Sequence, residues 1–362
     1  MLLKKTKYLI LSYCPVRNRQ GFDLNNALME NKVQQSWLIQ LEALTDPALH
    51  VIGVSKPTSS WLWKWRIASK VIRLKMLCSA LFFRHRVTIA INMPAILPAI
   101  VLKLIFHTKL VFYTLEFGHI DVLHKFLLRH FCDAVIDVEE TRLQLILNTI
   151  DKKLPSMVMH NMPRRINTDK LAPRLREWLK LNSCVREGAF LAIYAGSYQK
   201  YCNLERLIEW AQDFPEEGYL ILIMTEVPEH LQKLAGARTI FVPALRHEEL
   251  YNWLVDGDVA LLPYEDNSDN VRYCSPQKLF DSLACGVPFL GSRRPLIQKI
   301  ADKYKCGITI DFNNKKEFVD SICWFIEQPL AVMRERARQA HCYENYDSMM
   351  PQMISFLETI GR

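Results

Sequence analysis

Short apolar runs alternate with longer amphipathic stretches along most of the chain, a pattern that predicts parallel strands joined by covering helices. In the first half, six runs predict strands at Tyr8–Tyr13, His50–Val54, Val87–Ile91, Leu110–Tyr113, Ala134–Val138 and Met157–His160. Between them, amphipathic stretches such as Leu24–Leu44 and Asp121–Phe131 predict helices. This half is therefore expected to form a doubly wound α/β sheet.

The rhythm stops over residues 161–188, which are polar and basic and contain two prolines. It then returns with six further predicted strands, at Phe190–Tyr194, Tyr219–Met224, Thr239–Val242, Val259–Leu262, Pro288–Leu290 and Ile308–Ile310. Residues after about 313 show helical patterns only. We predict two Rossmann-like domains facing a cleft, at residues 1–165 and 189–335. A linker at 166–188 joins them, and helices at 336–362 are expected to pack back on the first domain.

Length and charge support this picture. A chain of 362 residues exceeds the size of one ordinary core, and its net charge of +8 indicates an anionic partner. The ten cysteines form no CxxC pair and no zinc-ligand spacing, which predicts reduced thiols in a cytosolic protein without a metal site. The start of the chain does not resemble a signal peptide, and Pro94, Pro98 and Lys103 interrupt the apolar segment 87–106. No membrane-spanning helix is expected.

The segment "LAIYAGSYQKYCNLERLIEW" combines a strand, a glycine and a helix start. The strand stops at Gly196, and Asn203 is a suitable N-cap for the helix that follows a polar loop. Free backbone N–H groups and the helix dipole favour an anion at such a position, and Gly196 would let a phosphate approach the backbone. Lys200 would add a charge. An ordinary strand-to-helix turn is the alternative.

The segment "DVALLPYEDNSDNVRYCSPQKLFDSLACGVPFLGS" is more specific. Ser275 is predicted to cap a helix that starts at Pro276. On this helix Lys278 and Asp281, three residues apart, share one face. Gly286 suits the left-handed position after the helix. A charged helical face that follows a buried strand is typical of a ligand site.

These residues resemble a known family. "SPQKLFDSLACGVPFL" is similar to the "SPxKLFEYLACGxPVV" segment of the family 4 glycosyltransferases (glycosyl transferases group 1), which have the GT-B fold. "YAGSY" resembles the family's diphosphate-binding glycine loop, and "NMP" at 161–163 resembles the end of its amino-terminal domain. The resemblance implies a nucleotide-sugar donor held mainly by the second domain.

The resemblance also implies roles for individual residues of the second domain. Asp281 stands where the family usually has a glutamate that accepts hydrogen bonds from the ribose, whereas the glutamate eight residues earlier is replaced by Tyr273. Arg272 is a candidate substitute for a missing cation of the diphosphate loop. The complete predicted donor set is Gly196, Ser197, Lys200, Tyr264, Arg272, Ser275, Pro276, Lys278 and Asp281.

Two loops of the first domain are candidates for catalysis and acceptor binding. In "LVFYTLEFGHID", Leu115 replaces the histidine of related enzymes, Glu116 is retained and His119 follows. We expect Glu116 and His119 to be catalytic, and a solvated or helix-capping pair is the alternative. In "CPVRNRQGFD", Arg17, Arg19 and Gly21 either contact phosphate or acceptor or form a solvated turn.

A basic segment suggests a membrane partner. Residues 47–115 contain ten Lys or Arg and no Asp or Glu. Tryptophans beside cations are typical of interfacial helices on anionic lipid, and here they are Trp61, Trp63, Trp65, Lys64 and Arg66. A plain helix whose tryptophans pack on the core is the second interpretation, and nucleic-acid binding is a distant third because no recognised nucleic-acid module surrounds the segment.

Together, the resemblance and the basic segment imply a peripheral glycosyltransferase on the cytoplasmic face of the cell membrane. It would transfer a sugar from a nucleotide-sugar to a lipid-linked saccharide in cell-surface polysaccharide or lipopolysaccharide synthesis. The family implies retention of anomeric configuration and no metal or cofactor, since helix dipoles and cations stabilise the leaving diphosphate. A nucleotide-sugar epimerase with the GT-B architecture and a catalytically silent GT-B partner protein are the alternatives.

Overall fold

A computed structural model describes residues 4–5, 7–12, 20–30, 36–41, 51–54, 67–116, 120–183, 185–224, 226–243 and 247–362. The chain divides into two compact units, the first built from 1–161 and 349–362 and the second from 162–348. The segment 166–188, predicted as a linker, lies in the second unit. Of the C-terminal residues 336–362, those from Met349 onward belong to the first unit, and residues 336–348 belong to the second.

The first unit contains a seven-stranded parallel sheet with the order β4-β3-β2-β6-β7-β8-β9. Its strands are β2 (Tyr8–Ser12), β3 (Ser36–Leu41), β4 (Val51–Val54), β6 (Val87–Ile91), β7 (Lys109–Thr114), β8 (Ala134–Asp137) and β9 (Ser156–Val158). A separate two-stranded ladder joins β1 (Lys4–Lys5) to β5 (Phe83–Arg84). The strand order reverses between β2 and β6, where a doubly wound sheet opens a crevice at the carboxyl ends of its strands.

The helices of the first unit connect these strands. They are α1 (Gln20–Glu30), α2 (Ile67–Ala80), α3 (Ile96–Phe106), α4 (Val122–Phe131) and α5 (Glu140–Ile150). Residues of α2, α3, α4 and α5 share one hydrophobic core with the sheet, so these four helices cover the same face. That arrangement follows from right-handed crossovers that all run in the same direction along the sheet, from β4 to β6 through α2 and then between neighbouring strands from β6 to β9.

The second unit contains a six-stranded parallel sheet with the order β12-β11-β10-β13-β14-β15. Its strands are β10 (Phe190–Ala195), β11 (Gly218–Met224), β12 (Thr239–Pro243), β13 (Val259–Leu262), β14 (Phe289–Ser292) and β15 (Gly307–Ile310). The order reverses between the adjacent strands β10 and β13. The two motifs that the sequence singled out follow these strands, so both lie at the switch point of the sheet.

Ten α-helices accompany the second sheet in the described part of the chain. They are α6 (Leu175–Asn182), α7 (Leu204–Trp210), α8 (Glu229–Leu234), α9 (His247–Leu254), α10 (Asp269–Arg272), α11 (Gln277–Ala284), α12 (Pro295–Tyr304), α13 (Lys315–Glu327), α14 (Leu330–Tyr343) and the shared α15 (Tyr346–Ile360). Among the described residues, no helix is long and apolar enough to cross a membrane.

Each of the twelve predicted strands overlaps a strand of the structure, but the predicted helix Leu24–Leu44 was wrong. Helix α1 ends at Glu30, and Ser36–Leu41 form β3. This strand pairs with β2 on one side and β4 on the other, and its residues Leu38 and Ile39 are fully buried. A strand covered on both faces carries a continuous apolar run, which a short helix can also show.

Candidate functional site

The loop after β10 begins with a glycine in an unusual conformation. Gly196 has a φ of +152°, a value that side-chain-bearing residues rarely adopt. A short 3-10 turn at Lys200–Cys202 then leads into α7, and Lys200 is exposed. Asn203 occupies the N-cap, but its φ is +43° and its side chain makes no capping hydrogen bond. The predicted capping by Asn203 was therefore wrong, because the left-handed backbone is not the extended one that capping side chains need.

Lys278 of α11 lies directly beside this glycine. Its Nζ donates a hydrogen bond of 2.9 Å to the Tyr194 hydroxyl, which in turn donates one of 2.9 Å to the carbonyl of Ser197. The same Nζ lies 4.1 Å from the centre of the Tyr194 ring and 5.7 Å from that of Tyr264. Helix α11 thus brings an ammonium group to the loop that follows β10.

Within the described ranges, no carboxylate lies at ion-pair distance from the Lys278 ammonium. Two tyrosine rings and the backbone of Gly196 lie beside it. Burial lowers the pKa of this lysine, and the more distant charge of Asp281 opposes that effect. Burial also raises the pKa values of Tyr194 and Tyr264, which are thus neutral hydroxyls. A half-buried cation without a carboxylate at ion-pair distance is a favourable place for an anionic ligand.

Asp281, on the same helix, is bound by a tyrosine. It is only 5% exposed, and its Oδ1 accepts a 2.8 Å hydrogen bond from the hydroxyl of Tyr251 in α9. The sequence did not indicate Tyr251. The hydroxyl fixes the orientation of the carboxylate, since a charged acceptor makes the stronger hydrogen bond.

The start of α11 differs from expectation by one residue, whereas the glycine that follows its end agrees with the prediction. Pro276, with an extended ψ of 124°, occupies the N-cap and the helix begins at Gln277, so the predicted cap at Ser275 was wrong by one residue. Ser275 is buried. At the other end, Gly286 has a φ of +63°, which confirms the predicted left-handed position.

Two arginines fix the loop between β13 and α11. Arg272 pairs with Asp266 at 2.8 Å and with Asp269 at 3.6 Å, so this candidate phosphate cation already has two carboxylate partners. Arg294 donates hydrogen bonds of 3.1 and 2.8 Å to the carbonyl of Tyr264. The N–H of Tyr264 donates to Ser292 Oγ at 2.7 Å. Both backbone polar groups of Tyr264 are therefore held, and its ring stays beside Lys278.

In the first unit, Asn92 and Arg142 hold the backbone before Glu116. Asn92, with a φ of +62°, follows β6, and its Oδ1 accepts hydrogen bonds from the N–H groups of Leu115 (2.8 Å) and Glu116 (3.2 Å). Arg142 Nη1 donates to the carbonyl of Leu115 at 3.4 Å. The Glu116 side chain is exposed. Asn92, a polar residue directly after the apolar run of β6, could have indicated this site from the sequence but was not among the predicted residues.

Arg142 is also part of a buried ion pair. Its Nε lies 3.2 Å from Asp137 Oδ1, both side chains are almost fully buried, and Thr114 donates a hydrogen bond to the same carboxylate. Burial raises the pKa of Asp137, while Arg142 and Thr114 oppose that rise. The pair joins the carboxyl ends of β7 and β8 to α5 and so fixes the position of the Glu116 backbone.

Several predicted residues lie outside the described part of the chain. They are His119, Arg17, Arg19, Trp61, Trp63, Trp65, Lys64 and Arg66. Gly21 lies in α1. Among the residues that the structure describes, no group of three His, Cys, Asp or Glu side chains is arranged to hold a metal ion.

Two doubly wound parallel sheets, with a glycine loop and a half-buried lysine at the switch point of the second, define the class of protein, which is GT-B. Residues 182–341 match the family model of the glycosyl transferases group 1, so the second domain belongs to that family and the sequence resemblance is confirmed. The chain is accordingly a glycosyltransferase of GT-B type.

Solved structures share the fold over nearly the whole chain. The structure of Anabaena HepE in complex with UDP matches with a TM-score of 0.71 and 14% identity, over 98% of this chain and 100% of that one. Sucrose-phosphate synthase from Thermosynechococcus elongatus matches at 0.73 and 14%, over 98% and 99%. The α,α-trehalose 6-phosphate synthase from Burkholderia multivorans matches at 0.71 and 11%, over 98% and 99%. A comparison with curated proteins finds no significant match.

Proposed function

We propose that the protein transfers a sugar from a nucleotide-sugar to a lipid-linked saccharide during cell-surface polysaccharide synthesis. It would do so with retention of anomeric configuration and without a metal ion. The observation that carries the donor half of this proposal is the Lys278 ammonium, which has no carboxylate partner in the described structure and lies against Gly196.

The donor diphosphate would lie beside Gly196, where the Lys278 ammonium fills the space that a Cβ would occupy. Lys278 would then supply a second cation beside the exposed Lys200 of the loop, and it would stabilise the negative charge of the leaving nucleoside diphosphate. Asp281, held by Tyr251, would accept hydrogen bonds from ribose hydroxyls. HepE has been crystallised with UDP and with UDP-glucose, which makes UDP-sugars the first donors to test.

The acceptor half rests on the first domain. Glu116 is exposed at the carboxyl end of β7, where open sheets carry their functional groups, and its backbone is held by Asn92. Glu116 and His119 would contact the transferred sugar or the acceptor hydroxyl. The tryptophan-rich basic segment 61–66 would hold the protein at an anionic membrane surface, where a lipid-linked acceptor is located.

The decisive experiment is a thermal-shift panel of UDP-, GDP-, ADP-, dTDP- and CMP-sugars with the wild-type protein and the Lys278→Met variant. We expect one donor class to raise Tm, and we expect the rise to shrink strongly in the variant. Lys316→Met, which removes an exposed lysine of α13, is the matched control. A wild-type Tm that no nucleotide-sugar changes would refute the proposed donor. The anomeric configuration of the product, read by NMR, tests retention.

A further inference from the structure

Exposed apolar side chains are concentrated in one part of the first unit. In the described chain, fourteen large apolar residues are exposed, and nine of them lie between residues 74 and 126. We call these nine the α2–α4 apolar surface; they are Leu74, Phe82, Leu97, Val101, Leu104, Ile105, Val122, Leu123 and Phe126. The other five are distributed over four helices of the second unit. A concentration of exposed apolar side chains of this kind usually marks an interaction site.

Helix α3 shows the imbalance most clearly. Of its eleven residues, only Lys103 is polar, and that lysine is bonded to Asp133. One side of α3 packs on the sheet through residues such as Ala99 and Leu102, whereas Leu104 is 60% exposed on the outer side. A helix that is apolar all round is normally covered on every side. The outer side of α3 therefore lacks a cover within the described structure.

The neighbouring helices extend the same surface. Helices α2 and α3 pack side by side, and α3 and α4 follow consecutive strands on one face of the sheet. On α4, Val122 is 86% exposed and Phe126 is 52% exposed. Both residues lie in the first half of a helix that starts shortly after Glu116. The apolar surface thus extends to the edge of the sheet that carries the candidate acceptor site.

The charge around this surface is strongly positive. Residues 67–126 contain eight Lys or Arg but only two acids, Glu116 and Asp121. The Asp121 carboxylate caps α4 by accepting the N–H of His124 at 2.8 Å. Lys70, Lys75 and Lys125 are exposed on α2 and α4. Apolar side chains flanked by cations complement a bilayer with anionic headgroups.

We propose that the α2–α4 apolar surface inserts into the headgroup region of an anionic bilayer and brings the acceptor edge of the first domain to the membrane. A second copy of the chain fits less well, because a two-fold interface would place the same cations opposite one another. The inference deepens the proposed function, on which it rests, by naming the surface that meets the lipid. It uses none of the tryptophans of segment 61–66.

The test is co-sedimentation with phosphatidylcholine vesicles, with and without phosphatidylglycerol. The double variant Leu104→Ser/Phe126→Ser removes two exposed apolar side chains, and we expect its partitioning to anionic vesicles to fall by about tenfold. The double variant Leu181→Ser/Tyr343→Ser is the matched control, since these residues of the second unit are 77% and 69% exposed. Lys70→Gln/Lys75→Gln should lower the dependence on phosphatidylglycerol.

Equal losses in the two Ser double variants, or none in the first, would overturn the proposal. A wild-type dimer seen by light scattering, and dissociated by the Leu104→Ser/Phe126→Ser variant, would also overturn the proposal.

Photoreactive-lipid labelling of the wild-type protein provides a test without substitutions, and we expect labels at residues 97–105 and 122–126. Donor binding is measured separately by thermal shift and should survive in Leu104→Ser/Phe126→Ser. Failure of the donor proposal would instead leave the wild type without any nucleotide-sugar shift.

Discussion

The end of the Lys278 side chain lies where a side chain of residue 196 would begin. A Cβ built on Gly196 would lie 2.5 Å from Cε and 2.9 Å from Nζ of Lys278. No real side chain fits at those distances, so the position of the ammonium depends on the absence of a side chain at residue 196. The glycine therefore does more than allow a phosphate to approach, because it also leaves room for the cation.

Gly196→Ala should displace the Lys278 amine and weaken nucleotide-sugar binding by about tenfold or more, the cost of one charge-assisted hydrogen bond. Gly188→Ala is the matched control, since Gly188 also has a positive φ, +80°, but a Cβ at this residue would meet no atom within 4 Å. Both variants should lose stability from backbone strain, and only Gly196→Ala should lose donor affinity in isothermal titration. Equal donor affinity in the two variants would contradict this account.

Lys278→Met should remove a pH dependence of donor binding. Burial lowers the pKa of Lys278 below the ordinary lysine value of 10.5, so the amine loses its charge at a lower pH than an exposed lysine does. Donor affinity should fall as the pH rises through that lowered pKa.

The free energy of unfolding should change in the opposite direction. The unfolded chain keeps the Lys278 proton to a higher pH than the folded one, so this lysine increasingly favours the folded state as the pH rises toward 10.5. Titrations of wild type and variant across roughly pH 7 to 10 measure the difference, and parallel profiles would exclude Lys278.

Asp281→Asn should keep the fold and reduce donor affinity. An amide oxygen still accepts the Tyr251 hydroxyl, so Tm should change little, but the charged acceptor for the ribose is lost and binding should weaken by about tenfold. Tyr251→Phe is the companion variant, because it releases the carboxylate without removing it and should have the smaller effect. If Asp281→Asn binds the donor as tightly as wild type, the carboxylate is structural only.

Arg142→Met should destabilise the first domain by about 3–5 kcal/mol, because it leaves the Asp137 carboxylate buried without its cation. The double variant Arg142→Met/Asp137→Asn should recover part of that loss, since no buried charge remains unpaired. Urea unfolding followed by circular dichroism measures both. A double variant that is less stable than Arg142→Met alone would show that the ion pair is not the source of the effect.

His341 should make the second domain sensitive to acid. Its Nε2 accepts the N–H of Ile166 at 3.0 Å, and burial lowers its pKa from 6.5 to about 4. The unfolded chain takes up this proton below pH 6.5, so the free energy of unfolding should fall between pH 6.5 and 4, by roughly 3 kcal/mol in total. His341→Gln keeps an acceptor for Ile166 and should flatten the profile. His107→Asn, at an exposed left-handed position, should leave it unchanged.

Apolar runs predicted the strands well because parallel strands are buried on both faces. Gly286 was predictable because few other residues adopt its conformation. The same reasoning failed for β3, where the choice between helix and strand depends on partners that are distant in sequence. Pairing with β2 and β4 decided the outcome.

The candidate site shows a similar division. Lys278 was predictable from its motif, but its partner Tyr194 lies 84 residues earlier in a run that reads as plain core. In the sequence, Arg142 has no feature that separates it from the other polar residues of an amphipathic helix. It is buried because α5 packs against the carboxyl ends of β7 and β8, where Asp137 lies. For Arg272 the sequence did hold a signal, because Asp269 stands three residues before it and pairs with it.

Helix α15 has a consequence for the order in which the molecule is completed. The helix enters from the second unit and, from Met349 onward, belongs to the first, where Glu358 pairs with Lys7 at 2.8 Å. The second unit is thus inserted into the first. Because the chain is synthesised from its amino end, every residue of the second unit is made before residues 349–362 complete the first unit. The domain that starts first is the one that finishes last.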